Sequence, residues 1–170
     1  KKLKDDNGLD YDYTQIVISN GAKHSLTNAL MAVLNPGDEV IIPAPYWLSY
    51  AEMVRLAGGT PVVVYTKQEE DFALTREVLE SGYSDKTKAV IITTPSNPTG
   101  MVMTEKQLRE IADFAVEKDI IVIADEIYEK LIYSDDKKHV SIASFGKEIY
   151  DRTITVNGVS KSYAMTGWRI

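Results

Sequence analysis

Two stretches of this chain, Lys88 to Thr94 and Ile120 to Ala124, carry apolar centres with no polar interruption. A strand with one face in water alternates apolar and polar residues. One that is apolar at every position is covered on both faces, which is the signature of a parallel sheet between two helical layers. The segments between the strands supply those layers. Ala22 to Leu34 places Ala22, Leu26, Ala29, Leu30 and Val33 on one helical face, and Trp47 to Ala57 reads as a second helix stopped by Gly58-Gly59. Thr75 to Glu80 is a short helix. Thr104 to Lys118 is the clearest one, with Thr104 and Gln107 spaced as a capping box and Leu108, Ile111, Ala112, Ala115 and Val116 as its stripe. The remaining strands are Gln15 to Ser19, Glu39 to Pro43, Thr60 to Tyr65 and Arg152 to Val156. The expectation is a three-layer α/β/α domain with a mostly parallel sheet and right-handed crossovers.

In such folds ligands bind beyond the carboxyl ends of the strands. Gly21, Trp47, Asn97, Asp125 and Lys161 each follow an expected strand within a few residues, so they converge on one edge of the sheet. Ser19-Asn20-Gly21-Ala22-Lys23 joins a strand to a helix, and the free N–H groups of a helix start suit a phosphate. Trp47 offers a face for a flat ring, with Tyr46 competing for that role. Asn97, held in a turn by Pro98, has an amide to donate. Asp125 ends a buried run, where a carboxylate is costly without a partner; a protonated pyridine nitrogen would serve, and Glu126 competes for the position. Tyr128 has a hydroxyl within reach of a ring oxygen. Lys161 is a candidate to carry an aldehyde cofactor and to move a proton, and Arg169 presents a planar fork to a phosphate. Together these groups suit pyridoxal 5′-phosphate.

Composition narrows the alternatives. The 170 residues suffice for one domain with a core, and the net charge of −6 gives no basic footprint for nucleic acid. There is no Cys, which removes disulfides and thiolate metal sites and fits a reducing cytoplasm. His24 and His139 lack ligand spacing and are expected at the surface, so no metal site is expected. No apolar run approaches the ~18 residues of a membrane helix, and the polar N-terminal stretch, with Lys1, Lys2 and Lys4 answered by Asp5 and Asp6, reads as solvated.

The motifs Asn20-Gly21-Ala22-Lys23, Pro45-Tyr46-Trp47, Ser96-Asn97-Pro98-Thr99-Gly100, Ala124-Asp125-Glu126-Ile127-Tyr128 and Ser160-Lys161 with Gly167-Trp168-Arg169 resemble, in order and spacing, the class I and II aminotransferases. The branch they resemble most is that of the bacterial aspartate aminotransferases. The resemblance covers nearly the whole chain. It implies Lys161 as the cofactor lysine and Asp125 as partner of the pyridine nitrogen. Tyr128 and Asn97 would hold the ring oxygen, and Trp47 would stack on the ring. Gly21, Ala22 and Lys23, chiefly through backbone N–H groups, and Arg169 would hold the phosphate. Many relatives have Ser or Thr three residues before the lysine, where this chain has Gly158; Ser160 is the substitute candidate. The implied reaction moves an amino group between an amino acid, aspartate favoured, and a 2-oxo acid, in a cytoplasmic homodimer.

Members of that family are about twice this length, so residues 1–170 are expected to be their cofactor-binding large domain, without N-terminal arm or small domain. Their sheet has seven strands in the order 3-2-4-5-6-7-1, the seventh antiparallel, and Arg169-Ile170 is where that strand would begin. The expectation here is therefore a sheet interrupted before it, with strands 6 and 1 separated or paired directly, and an exposed apolar edge that favours non-native association. The substrate-carboxylate arginine of the family is not assignable in the chain. Two other readings share this fold: a carbon–sulfur β-lyase, against which Tyr128 argues because such relatives often carry His there, and a cofactor-sensing domain of a transcription regulator. A dinucleotide-binding domain is disfavoured, because no Gly-x-Gly-x-x-Gly follows the first strand.

Overall fold

The structure is a computed structural model that describes residues 1–170. Its centre is a sheet of five strands in the order β2-β1-β3-β4-β5. They are β1 (Glu39–Ala44), β2 (Thr60–Tyr65), β3 (Thr87–Thr93), β4 (Ile121–Asp125) and β5 (Thr153–Val156). Every pairing is parallel. The helices are α1 (Lys2–Asn7), α2 (Ala22–Val33), α3 (Ser49–Leu56), α4 (Arg76–Gly82), α5 (Glu105–Glu117), α6 (Lys147–Tyr150) and α7 (Val159–Ser162).

Alternate residues of β1, β3 and β4 enter two separate cores, which explains the unbroken apolar runs. Ile41, Val90, Ile92, Val122 and Ala124 pack with Leu79, Leu108, Ile111 and Phe114 from α4 and α5. Val40, Ile42, Ala89, Ile91 and Ile123 pack on the other face with Leu26, Leu30, Met53 and Val54 from α2 and α3. The Thr104–Gln107 capping box forms as expected at the start of α5.

Three local expectations are corrected. Gln15 to Ser19 is not a strand: Tyr13–Gln15 forms a 3-10 turn capped by Asp12, and residues 16–19 lie outside any ladder. A strand needs a hydrogen-bonding neighbour, and here two cavities, of about 420 and 390 Å³, lie between this segment and β5. Both are lined by Gln15, Val17, Ile154, Thr155 and Asn157. Of the two expected arrangements, separated or directly paired, direct pairing does not occur, and the first segment is no strand; its Val17 and Ile18 are 79% and 81% exposed. Second, Trp47 precedes α3 rather than starting it. Third, the N-terminal Lys/Asp stretch is not merely solvated, since it forms α1 and buries Asn7. No helix is long and apolar enough to cross a membrane.

Candidate active site

The carboxyl ends of β3, β4 and β5 and the start of α2 surround a cavity of about 320 Å³. Ala22, Lys23, Trp47, Asn97, Asp125, Tyr128, Ser160, Lys161 and Arg169 all line it. Gly21 stands directly behind. Its φ of 82° and ψ of 162° belong to a region that only glycine occupies freely, and a Cβ there would collide with the Arg169 guanidinium. Glycine is thus what lets the arginine lie against the start of α2. Arg169 Nη1 donates to the Thr166 carbonyl at 2.9 Å, which turns the fork toward the cavity rim. The Asn20 N–H is taken by His24 Nδ1 at 3.1 Å. The first N–H groups of α2, at Ala22 and Lys23, have no intrahelical acceptor.

Asp125 forms the floor. It is the last residue of β4, not the residue after it, and is 3% exposed. Its Oδ2 accepts the Tyr50 hydroxyl at 2.7 Å and its Oδ1 the Ile127 N–H at 3.2 Å. Burial pushes the Asp125 carboxyl above the usual carboxylate range; the Tyr50 and Ile127 hydrogen bonds pull the other way, and the neighbouring Glu126 charge adds to the rise. The Tyr50 hydroxyl is driven far upward, by burial first and then by the Asp125 charge, so it remains a donor. A cation entering the cavity would provide the partner that this carboxylate lacks.

The walls follow from the same strand ends. Trp47 meets the edge of Tyr50 at 5.5 Å between centroids, and Lys23 Nζ lies 4.9 Å from the Trp47 ring centre. Asn97 Nδ2 reaches the Tyr128 hydroxyl at 3.5 Å. Lys161 projects from the four-residue α7 and is exposed, whereas Ser160 beside it is buried. Lys23, Lys161 and Arg169 set three cations around the single anion Asp125, so the upper part of the cavity attracts anions and the floor attracts a cation.

The geometry also separates the competing assignments. Tyr46 lines a narrow neighbouring cavity and not this one. Glu126, 1% exposed, faces away from the cavity, where its Oε2 receives Asn7 Nδ2 at 3.1 Å and His139 Nε2 at 3.0 Å. His139 is therefore not a surface residue, its side chain being 9% exposed, whereas His24 is exposed. Glu126, Glu129 and His139 bring ligand-type atoms within 4.8 Å of one another. Their carboxylates are already engaged by Asn7, Asn157, Lys2 and His139, so the group is a hydrogen-bonded clasp between α1 and the turn after β4.

Tyr50, Thr93 and Thr166 are not singled out by the sequence reading. Tyr50 links Asp125 to Thr93, whose Oγ1 is 2.5 Å from its hydroxyl. Its signal is the spacing of three from Trp47, which brings both rings to one side of a helix start.

Comparison with known proteins places these features in context. A family model described as aminotransferase class I and II matches residues 1–170. An aspartate aminotransferase of Bacillus sp. (strain YM-2) is 52% identical over 170 residues, covering 100% of this chain and 43% of the relative. A bifunctional aspartate aminotransferase and glutamate/aspartate-prephenate aminotransferase of Petunia hybrida is 52% identical, over 99% of this chain and 35% of its own length. The crystal structure of an aromatic aminotransferase from Pyrococcus horikoshii superposes with a TM-score of 0.95 at 52% identity, over 99% of this chain and 44% of that one. A Thermus thermophilus aspartate aminotransferase with maleate gives 0.93 at 42% identity, over 99% of this chain and 43% of the other. The chain thus spans less than half the length of each of these relatives.

Proposed function

We infer the chemistry from one premise: this chain belongs to the class I and II aminotransferase family. The protein that carries it transfers an amino group between an amino acid and a 2-oxo acid, with aspartate the favoured donor. Residues 1–170 act as its cofactor-binding large domain, within a cytoplasmic homodimer.

The observation that carries this reading is the buried Asp125, its carboxyl pushed above the usual range by burial, at the floor of a cavity ringed by three cations. Pyridoxal 5′-phosphate has the complementary pattern, a basic ring nitrogen at one end and a dianion at the other. The cradle at Gly21, where a Cβ would fill the space against Arg169, adds a second point of fit. When bound, the cofactor supplies an electron sink for charge developing at the substrate Cα.

The residues of the chain do the rest. Asp125, ionised by a cationic ring nitrogen, keeps that nitrogen protonated, and Tyr50 holds the carboxylate in place. Trp47 stacks on the ring, while Asn97 and Tyr128 hold its oxygen. The N–H groups of Ala22 and Lys23, with Ser160 and Arg169, would hold the phosphate, whereas the Gly21 N–H is taken by the Ser19 carbonyl at 2.9 Å and Gly21 contributes by admitting Arg169. Lys161 would hold the cofactor through its amine, and that amine, when free, would carry a proton at the substrate Cα.

The test adds pyridoxal 5′-phosphate, reduces with borohydride and maps peptides by mass. A single adduct on Lys161, abolished by Lys161→Ala, is expected. Adducts scattered over the other lysines at equal yield, unaffected by that substitution, would overturn the assignment. Amino transfer from aspartate to 2-oxoglutarate by the full-length protein tests the substrate class.

A further inference from the structure

We propose that Glu129, acting through Asn157, is a positioning residue for Lys161; this rests on the role given to Lys161 above. The amine sits on α7, which has four residues and only one of them, Ser160, buried. So short a helix with so little packing does not fix its own direction. The sheet holds the chain only as far as Val156, which pairs with Asp125 and whose carbonyl accepts the Glu126 N–H at 2.8 Å; Asn157 and Gly158 lie between that last ladder bond and α7.

A polar bridge spans the gap. Glu129 lies in the turn after β4, one residue past Tyr128, and is buried. Its Oε2 accepts Asn157 Nδ2 at 2.8 Å. Asn157 is the first residue past β5, and its Oδ1 accepts the Gly158 N–H at 2.7 Å. Gly158 is the residue from which α7 starts. A continuous series of hydrogen bonds therefore runs from the segment bearing Asp125 and Tyr128 to the helix bearing Lys161.

The carboxylate at the middle of that series is itself held from a third side. Asn7 Nδ2 donates to the same Oε2 at 2.8 Å, and Lys2 forms an ion pair with Oε1. Both come from α1. A buried carboxylate gripped twice by α1 has little freedom to follow Asn157; Asn157 follows it. The start of α7, and with it the backbone that carries Lys161, is thus placed relative to the Asp125 floor by Glu129 and Asn157, neither of which lines the cavity.

The consequence separates two kinds of binding. Pyridoxamine 5′-phosphate uses the phosphate cradle and the Asp125 floor without bonding to Lys161. Pyridoxal 5′-phosphate adds one step, in which the Lys161 amine attacks the aldehyde carbon, a C=N bond forms and water leaves. Only that step depends on where the amine stands.

The experiment uses the full-length protein and measures both ligands in wild type, Glu129→Ala, Glu129→Gln and Asn157→Asp. Asn157→Asp keeps an oxygen for Gly158 but loses the donor and faces Glu129 with a like charge. Covalent capture, read as the imine absorbance and as borohydride-trapped Lys161 peptide, should fall about tenfold in Glu129→Ala and Asn157→Asp, the scale expected for a modest misplacement of a reacting group. Pyridoxamine 5′-phosphate affinity should stay within about twofold in both. Glu129→Gln keeps an acceptor for Asn157 and should hold capture within about threefold of wild type. Equal losses for both ligands would mean that the bridge only stabilises the fold, and unchanged capture would mean that it positions nothing; either overturns the proposal. Absence of a Lys161 adduct in wild type would instead sink the assignment of Lys161 itself.

Discussion

Removing one hydroxyl, by Tyr50→Phe, tests how the site floor is built. Tyr50 is the side chain that donates to the buried Asp125, and the pair is shielded from water on all sides but the cavity. A hydrogen bond to a charged group contributes about 1.5–3 kcal/mol, against about 1 kcal/mol for a neutral pair. The penalty of the substitution must therefore depend on whether Asp125 is ionised. Its carboxyl lies above the ordinary value of 3.8 in the folded chain, so the folded state takes up this proton more readily than the unfolded one. Burying the ionised form costs stability above the folded pKa, and that cost is relieved as pH falls through it toward 3.8. Deleting the Tyr50 donor raises the cost further, and only where Asp125 carries charge. Urea unfolding at about pH 8 and about pH 4.5 should show Tyr50→Phe costing about 1–2 kcal/mol more at the higher pH. Other titrating groups cancel, because each comparison is made against wild type at the same pH. In an Asp125→Asn background, where a neutral amide replaces the carboxyl, the pH dependence of the Tyr50→Phe penalty should vanish. A penalty equal at both pH values, or one that still varies with pH in that background, would refute this account of the floor.

Three further outcomes are expected. Gly21→Ala places a side chain in a glycine-only conformation at a cost of about 1–3 kcal/mol and displaces Arg169, so calorimetric affinity for pyridoxamine 5′-phosphate should drop at least about tenfold while the far-ultraviolet circular dichroism stays unchanged. Phe114→Ala empties the centre of the core under α5, where the ring meets Tyr83 edge-on at 5.8 Å; chemical denaturation should register a loss of about 3–5 kcal/mol. Val17→Lys puts a charge on the exposed segment beside β5, so sedimentation velocity should show less concentration-dependent association of the 170-residue chain, with stability changed by under about 0.5 kcal/mol. Identical sedimentation of the two proteins would remove that segment as the sticky edge.

The parts of the molecule legible in the sequence are those whose cause is local or periodic. Val40 to Ile42, Ala89 to Ile92 and Val122 to Ala124 read as buried strands because both faces of the sheet are covered, and every residue of such a strand carries the signal. The site is legible for a related reason: chain direction in a parallel sheet brings all strand ends to one side, so the positions after them meet regardless of their distance in sequence. What is not legible rests on contacts that leave no periodic trace. α1 has no apolar stripe, and its anchor, Asn7, finds Glu126 and Glu129 from the far end of the chain. His139 reads in the sequence like any loop histidine, and only the fold sets Glu126 beside it. Tyr50 fits the apolar face of α3 so well that its hydroxyl leaves no mark on the pattern. Residues 16–19 have the composition of a strand, but a ladder belongs to two segments, and composition reports on one.

The clasp of α1 bears on how the chain is made. Asn7 is 119 residues from Glu126 and 122 from Glu129 along the chain. α1 leaves the ribosome before β4, yet its binding place does not exist until β4 and the turn after it have emerged and folded. Until then this helix of six residues has nothing to dock on, and an isolated helix of that length does not persist in water. α1 thus settles only after β4 and its turn, and its arrival closes the carboxylate cluster beside the site. A chaperone or protease that recognises the unfolded α1 segment would have until that moment to act, so the clasp works as a clock on the folding of β4 and its turn as well as a brace.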